Sequence, residues 1–101
     1  MFFKVVGIRQ VGVSTVLINK DQYVRLVSEE TVEFNRLLKV VVLGPDPSPE
    51  QPHSFYLHDY QILFIGDEGK LRVDGYRIAH QRSEVTFSRM ELELEPCLIP
   101  K

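Results

Sequence analysis

Three apolar segments separated by two short polar segments lie between residues 55 and 94, and this pattern constrains the fold most. Segments 55–65, 71–80 and 85–94 are rich in β-branched and aromatic residues, which favour strands. Segments 66–69 and 81–84 supply glycine and polar residues that form turns. We therefore predict two consecutive hairpins in this half of the chain.

The first two of these segments carry further information about burial. Segment 55–65 is apolar at both odd and even positions, which predicts a strand covered on both faces. Gly75 stands in the middle of segment 71–80, where a glycine is typical of a β-bulge. We expect a bulge at this glycine.

The last segment alternates most regularly. Its even-numbered positions from 90 to 94 are apolar and are separated by glutamates, as in a strand with one buried face. Val85 and Phe87 are apolar at odd positions, so the pattern predicts that the buried face switches near residues 88–89. Pro96 is expected to end the strand.

The first half also favours strands, with one ambiguous stretch. Residues 13–27 are two apolar runs around a polar turn, which predicts a hairpin. Within residues 28–43, helical spacing of apolar side chains favours a short helix over 29–38 followed by a strand over 39–43. The β-branched run at residues 40–42 instead favours one long strand over 31–43, and both alternatives stay open.

These elements predict a mainly β fold, a small barrel or sandwich of about six strands. The chain has 101 residues, which suits a single domain over residues 1–101. Residues 45–54 hold four of the six prolines and are expected to form an exposed loop within that domain. The sequence leaves barrel and sandwich undecided.

Composition excludes several classes of protein. The formal net charge of -2 lacks the excess of basic residues typical of nucleic-acid binders. The chain shows no apolar run long enough to cross a membrane as a helix, so we expect no membrane partner. Cys97 is the only cysteine, which excludes an internal disulfide, and with no recognisable signal peptide it favours a cytoplasmic protein.

The residues give no pattern for catalysis, metal binding or cofactor binding. His53 and His58 lack the further ligands that zinc needs, and Cys97 has no neighbouring base that would activate it. The glycines match no phosphate-binding loop. We therefore predict no catalytic residues, no metal, no cofactor and no enzymatic activity; a small enzyme with no recognisable motif ranks third among the hypotheses.

The charge distribution is the most informative feature for function. Residues 70–89 hold five basic residues against two acidic ones, and an acidic strand follows them directly. A sheet face with cations and aromatic rings can hold single-stranded nucleic acid, as in barrels of the oligonucleotide-binding type. The candidate residues for this face are Arg72, Tyr76, Arg77, His80, Arg82 and Tyr60.

The acidic strand forms a second candidate face. Glu91, Glu93 and Glu95 have the same parity and are expected to share one side of the strand. A basic partner could use them, although charge on an edge strand is also a common defence against aggregation. The sequence thus predicts two charged surfaces of opposite sign.

Taken together, these features favour a non-catalytic module that binds another protein or itself, through strand edges and charged faces. A module for single-stranded nucleic acid is the alternative. The identity of the partner and the oligomeric state do not follow from the residues.

Overall fold

A computed structural model of the chain shows six antiparallel strands among the residues that it describes. It describes residues 2–12, 17–30, 36–45, 53–66, 68–81 and 84–97. The strands are β1 (Phe2–Val11), β2 (Tyr23–Glu30), β3 (Arg36–Gly44), β4 (Ser54–Ile65), β5 (Lys70–Gln81) and β6 (Glu84–Cys97).

The six strands close into one barrel in the order in which they follow along the chain. Each strand pairs with the next one, and β6 returns to pair with β1 from Phe2↔Cys97 to Val11↔Arg89. The contact between β1 and β2 is much shorter and covers three pairs, from Phe2↔Arg25 to Lys4↔Tyr23. Closure decides between the two predicted architectures: the fold is a mainly β barrel and not a sandwich.

The core fills the inside of this barrel. Alternate residues of the strands point inward, as the period of two in a strand requires. Leu17 and Ile18, from the segment between β1 and β2, also join the core. The strand residues of the core are Phe3, Val5, Val24, Leu38, Val40, Val42, Phe55, Leu57, Leu71, Val73, Met90, Leu92 and Leu94.

The predicted helix over 29–38 is wrong. Residues 29–30 end β2 and residues 36–38 begin β3, while residues 31–35 lie outside the described part. Leu38, Val40 and Val42 alternate inward and are buried, so a period of two overrides the helical spacing. β2 and β3 pair with each other from Tyr23↔Gly44 to Glu30↔Arg36. A helix over residues 29–38 would lose part of this pairing.

The predicted hairpin over 13–27 is also wrong. β1 continues to Val11, with a shift in its register against β6 between Val5 and Gly7. The N-terminal end of β1 is the partner of β2. Leu17 and Ile18 are buried but belong to no strand, and residues 13–16 lie outside the described residues. Leu17 and Ile18 therefore pack in the core and form no strand pair.

The predicted bulge exists, but on the neighbouring strand. β5 keeps an unbroken register with β6 through Gly75↔Met90. The register between β4 and β5 shifts instead, between His58↔Tyr76 and Gln61↔Asp74. Asp59, at this shift, has a positive φ of 51°. The glycine permits the bulge of β4 because a side chain at position 75 would collide with Leu57.

β4 is not covered on both faces, contrary to the sequence pattern. Phe55 and Leu57 are buried, but the end of the strand is exposed. β3 pairs with β4 only as far as Leu37↔His58 among the described residues, so the following part of β4 extends beyond the packed wall.

The predicted switch of the buried face of β6 is wrong as well. The register with β5 is regular from Leu71↔Leu94 to Gln81↔Glu84, so inward and outward positions alternate throughout. Ser88 is buried at the inward position, which leaves Val85 and Phe87 on the outside. Pro96 does not end β6, which continues to Cys97. In the described structure Pro96 pairs with Phe3 of β1 and has no partner on β5.

The proline-rich loop predicted over 45–54 lies mostly outside the described residues. Pro45 and His53 flank its central part and are exposed, and Ser54 already begins β4.

Candidate binding surface

The outer face of β5, β6 and β1 carries a ladder of paired charges. Arg72 Nη2 lies 3.3 Å from Glu93 Oε1. Arg89 Nη2 lies 3.4 Å from Asp74 Oδ2 and 3.8 Å from Glu91 Oε1. These contacts follow from the register, in which Arg72 faces Glu93 and Asp74 faces Glu91. Every pair is at least partly exposed, so each contributes little to stability.

The ladder replaces the two surfaces of opposite sign that the sequence suggested. Charges that are segregated along the chain become neighbours because β5 and β6 are antiparallel. Glu95, the third glutamate of the predicted acidic face, lies opposite Lys4 of β1. A cation on a neighbouring strand thus lies opposite each glutamate, with Arg9 opposite Glu91, Arg72 opposite Glu93 and Lys4 opposite Glu95, so the row does not form an isolated negative face.

Only two of the six residues proposed for the basic and aromatic face are described on the outer face together. Arg72 and Tyr76 point outward and are exposed. Arg77 has the inward parity, opposite the buried Ser88. The backbone of His80 pairs with Val85, but its side chain and all of Arg82 lie outside the described structure.

Tyr60 lies on the other side of the barrel wall. It packs against the core, and its hydroxyl and Ser28 Oγ share a hydrogen bond of 2.9 Å. The Arg36 guanidinium carbon lies 4.9 Å from the centre of its ring. Tyr60 therefore closes the wall between β2, β3 and β4 and does not join Tyr76.

A group of apolar side chains on the outer face is the feature that the sequence pattern missed. Ile78 faces Phe87 across β5 and β6, and Tyr76 and Val85 occupy outward positions beside them. Phe87 is 64% exposed and Tyr76 is 42% exposed. We call Tyr76, Ile78, Val85 and Phe87 the outer apolar patch. In the sequence, the apolar residues at odd positions, Val85 and Phe87, indicate this patch. The predicted switch of the buried face assigns them to the core instead.

The patch borders a shallow hollow. This open hollow of about 260 Å³, which we call the patch hollow, is lined by His58, Asp59, Tyr76, Ile78 and Phe87. The bulge of β4 places Asp59 at its rim, because the register shift begins directly after His58. The walls are thus mostly aromatic and aliphatic, with a carboxylate at the edge.

A second exposed apolar group lies at the end of the hairpin between β4 and β5. Leu63, Phe64 and Ile65 are consecutive and all exposed, and Phe64 is 79% exposed. We call these three residues the apolar tip. Phe64 has the inward parity, opposite the buried Leu71, but lies where β4 extends past its pairing with β3.

A polar cleft of about 310 Å³ lies over Gly7 on the same outer face. Arg9, Arg72, Glu91 and Glu93 line it with charges of both signs. Glu93 reaches over the glycine, since its carboxylate lies 3.2 Å from where a side chain would begin. The cleft is therefore part of the charge ladder.

The described residues contain no group of three or more His, Cys, Asp or Glu side chains that could hold a metal ion. Cys97 is a free, half-buried thiol opposite Phe2 at the end of β6. No helix in the described part of the chain is long and apolar enough to cross a membrane.

No protein-family model, curated protein or solved structure shows significant similarity to the chain.

Proposed function

We propose that the protein is a non-catalytic binding module that recognises another protein, or a second copy of itself, through the outer apolar patch. The observation that carries this proposal is the exposure of Phe87 and Tyr76 side by side with Ile78 on a regular sheet face. Contiguous apolar groups of this kind on a soluble domain are typical of interaction surfaces.

The composition of the surface supports the same function. Aromatic residues at the centre and charged residues at the rim are the usual arrangement of a protein interface. Here Tyr76 and Phe87 form the centre, while Arg89 and Asp59 lie at the edge. Both rings are held on strands of the barrel, so a partner would bind to them at little additional cost in conformational entropy.

Closure of the barrel changes the expected mode of binding. The sequence favoured pairing through strand edges, but each of the six described strands has a neighbour on both sides. Closure therefore removes most of the edges that strand addition requires, and the main exception is the β1–β2 contact, which covers three residue pairs among the described residues. A face of the sheet offers the larger docking surface.

The same geometry makes single-stranded nucleic acid the weaker candidate. Arg72 and Arg89, the cations nearest Tyr76 on this face, already contact carboxylates. Each phosphate contact would have to compete with such a pair, and the net charge of -2 adds a general repulsion.

Two substitutions of exposed apolar residues test the proposal. Phe87→Ser removes the centre of the patch, and Leu43→Ser is the matched control, since Leu43 is 42% exposed on β3. Binding is measured by sedimentation over a series of concentrations and by affinity capture from an extract of the source cells. Retention on single-stranded DNA and RNA at low salt is measured in parallel.

The proposal predicts that wild type and the Leu43 variant bind protein and that the Phe87 variant loses this binding. Equal binding by all three proteins, or no protein binding by wild type, would contradict it. Retention on nucleic acid that disappears in the Phe87 variant and weakens steeply with salt would replace it with the nucleic-acid function.

A further inference from the structure

We propose that the patch hollow binds a trimethylated lysine side chain of a partner protein. This inference rests on the proposed function and names the chemical group that the partner inserts. Tyr76, Phe87 and Asp59 carry it, because they bring two aromatic rings and one carboxylate to the same hollow. Aromatic rings attract organic cations through their negative faces, and quaternary ammonium groups are typical guests of such sites.

The two rings belong to neighbouring strands of the barrel. Ile78 of β5 faces Phe87 of β6 directly, so Tyr76 lies diagonally across from Phe87 on the same outer face. Residues in such diagonal positions are about 7–8 Å apart. An ammonium group between the two side chains can therefore lie within about 6 Å of both ring centres, the range over which a ring face attracts a cation. Both rings are exposed and open to a ligand.

The bulge of β4 turns a carboxylate onto this outer face. His58 lies opposite the exposed Tyr76 and lines the hollow with it, and in a regular strand the next residue would point inward. The register shift after His58 and the positive φ of 51° at Asp59 change this direction. Asp59 is exposed and lines the hollow as well. Redirecting a side chain beside a functional site is a common use of a β-bulge.

The carboxylate of Asp59 is available to a cationic guest. The ion pairs among the described residues leave Asp59 without a cation. Arg89 follows Phe87 on the outer face of β6, but it contacts Asp74 and Glu91, which hold its guanidinium on the side away from Phe87. No lysine or arginine is among the described residues that line the hollow. The hollow therefore combines apolar walls with an unpaired negative charge.

The shortage of hydrogen-bond acceptors favours a methylated ammonium over an ordinary lysine. A lysine ammonium has three N–H donors and is strongly hydrated, so against the walls formed by Tyr76, Ile78 and Phe87 it would lose water without gaining enough acceptors. A trimethylammonium keeps the charge, has no N–H and presents methyl groups to the rings. The hollow of about 260 Å³ has room for it, since cavities of about 150 Å³ already accept benzene.

The probe for this site is N-acetyl-trimethyllysine methylamide, a single residue that carries the proposed group. Binding to the full chain is measured by NMR titration of the backbone amide signals. The unmodified lysine compound, a neutral analogue with carbon in place of the charged nitrogen, and choline are titrated in parallel. We expect the trimethyllysine probe to shift the signals of Asp59, Tyr76 and Phe87 and to bind at least about tenfold more tightly than the unmodified and neutral compounds.

Conservative variants with matched controls locate the site. Asp59→Asn removes the charge and keeps a residue type that tolerates a positive φ. Asp21→Asn is its control, since Asp21 is also exposed and has a φ of 74°. Tyr76→Leu removes one ring, and Tyr56→Leu is its control, because Tyr56 is similarly exposed on β4 but is not among the residues that line the hollow.

Circular dichroism and thermal unfolding confirm that each variant is folded. We expect Asp59→Asn and Tyr76→Leu each to weaken binding of the trimethyllysine probe by at least about threefold, as the loss of one attraction for the cation implies. The two control variants should bind the probe as wild type does.

Several results would overturn the inference. They are failure of the trimethyllysine probe to bind, equal binding of the neutral or the unmodified compound, and unchanged binding by the Asp59 and Tyr76 variants. Choline that binds more tightly than the probe would assign the hollow to a small molecule and not to a protein. If the probe fails while Phe87→Ser abolishes capture of a protein, only this inference fails; if Phe87→Ser also captures protein as wild type does, both proposals fail.

Discussion

Gly75→Ala should destabilise the barrel, because a β-carbon at this position has no room. It would lie 2.9 Å from Leu57 Cβ, 3.2 Å from the His58 carbonyl oxygen and 3.4 Å from Tyr60 Cα. Two of these atoms belong to the backbone and the third to a fully buried side chain, so none can move aside easily.

The expected magnitude follows from two opposing terms. Forcing an extra methyl group into a packed site costs about 1–3 kcal/mol. Replacing glycine by alanine also restricts the unfolded chain, which stabilises the protein by about 0.4–1 kcal/mol. The midpoints of these two ranges differ by about 1.3 kcal/mol, which is the expected loss in the free energy of unfolding. Each kcal/mol lowers the melting temperature of a domain of this size by about 4–8 °C.

Gly7→Ala is the matched control for this experiment. Gly7 also lies within a strand, and neither glycine has the left-handed backbone that would add strain to a substitution. The nearest atoms to a new methyl group at position 7 belong to the Glu93 side chain, with the carboxylate at 3.2 Å and the β-carbon at 3.3 Å. The exposed carboxylate can swing away, and the β-carbon needs to shift by only a small distance. Urea unfolding of both variants measures the difference. If Gly75→Ala is as stable as Gly7→Ala, the close packing of the β4 bulge on β5 is refuted.

Three further predictions concern the core, the wall and the charge ladder. Leu57→Ala removes a side chain that is 0% exposed, so urea titration should show a loss of about 2–5 kcal/mol in the free energy of unfolding. In the same titration, Leu63→Ala at the exposed tip should change this free energy by less than about 0.5 kcal/mol. Tyr60→Phe loses a hydrogen bond of 2.9 Å at an exposed site, so calorimetry should show a loss of at most about 1 kcal/mol, and a larger loss would mean that the hydroxyl is more important than its exposure suggests. Arg72→Glu should lower the free energy of unfolding by less than about 1 kcal/mol, and adding Glu93→Arg should restore it. The difference in stability between the single and the double variant should shrink in high salt. No recovery in the double variant would argue against the ion pair.

The sequence predicts the elements of the second half well because their strands are long and turns with glycine or polar residues separate them. Segment 71–80 lies wholly within β5, and the even-numbered positions of segment 90–94 point into the core. Local alternation is enough here, since each strand pairs with the next one along the chain.

Errors occur where burial depends on a distant partner. Leu37 and Leu38 fit a helix by spacing, but pairing of β3 with β2 and β4 makes them a strand. Leu17 and Ile18 look like a strand because they are apolar, yet they fill the core from a connecting segment. Such outcomes depend on how the barrel closes, which no local window contains.

The candidate surface was only partly predictable for a related reason. The sequence places Tyr76 on a strand face with cations, whereas the odd parity of Val85 and Phe87 predicts a switch of the buried face that would bury Phe87. The position of Asp59 at the hollow depends on the register shift in β4, and that shift leaves no mark in the composition. Cross-strand register also converts charges that are separate in sequence into pairs.

Footprinting of the outer apolar patch tests the central claim most directly. Hydroxyl radicals label exposed side chains, and Tyr76 and Phe87 can be compared with Leu43 in dilute protein and in the bound state. The account predicts that Tyr76 and Phe87 lose most of their labelling on binding while Leu43 keeps its own. A complex that forms while both rings stay fully labelled would show that the patch is not the docking surface.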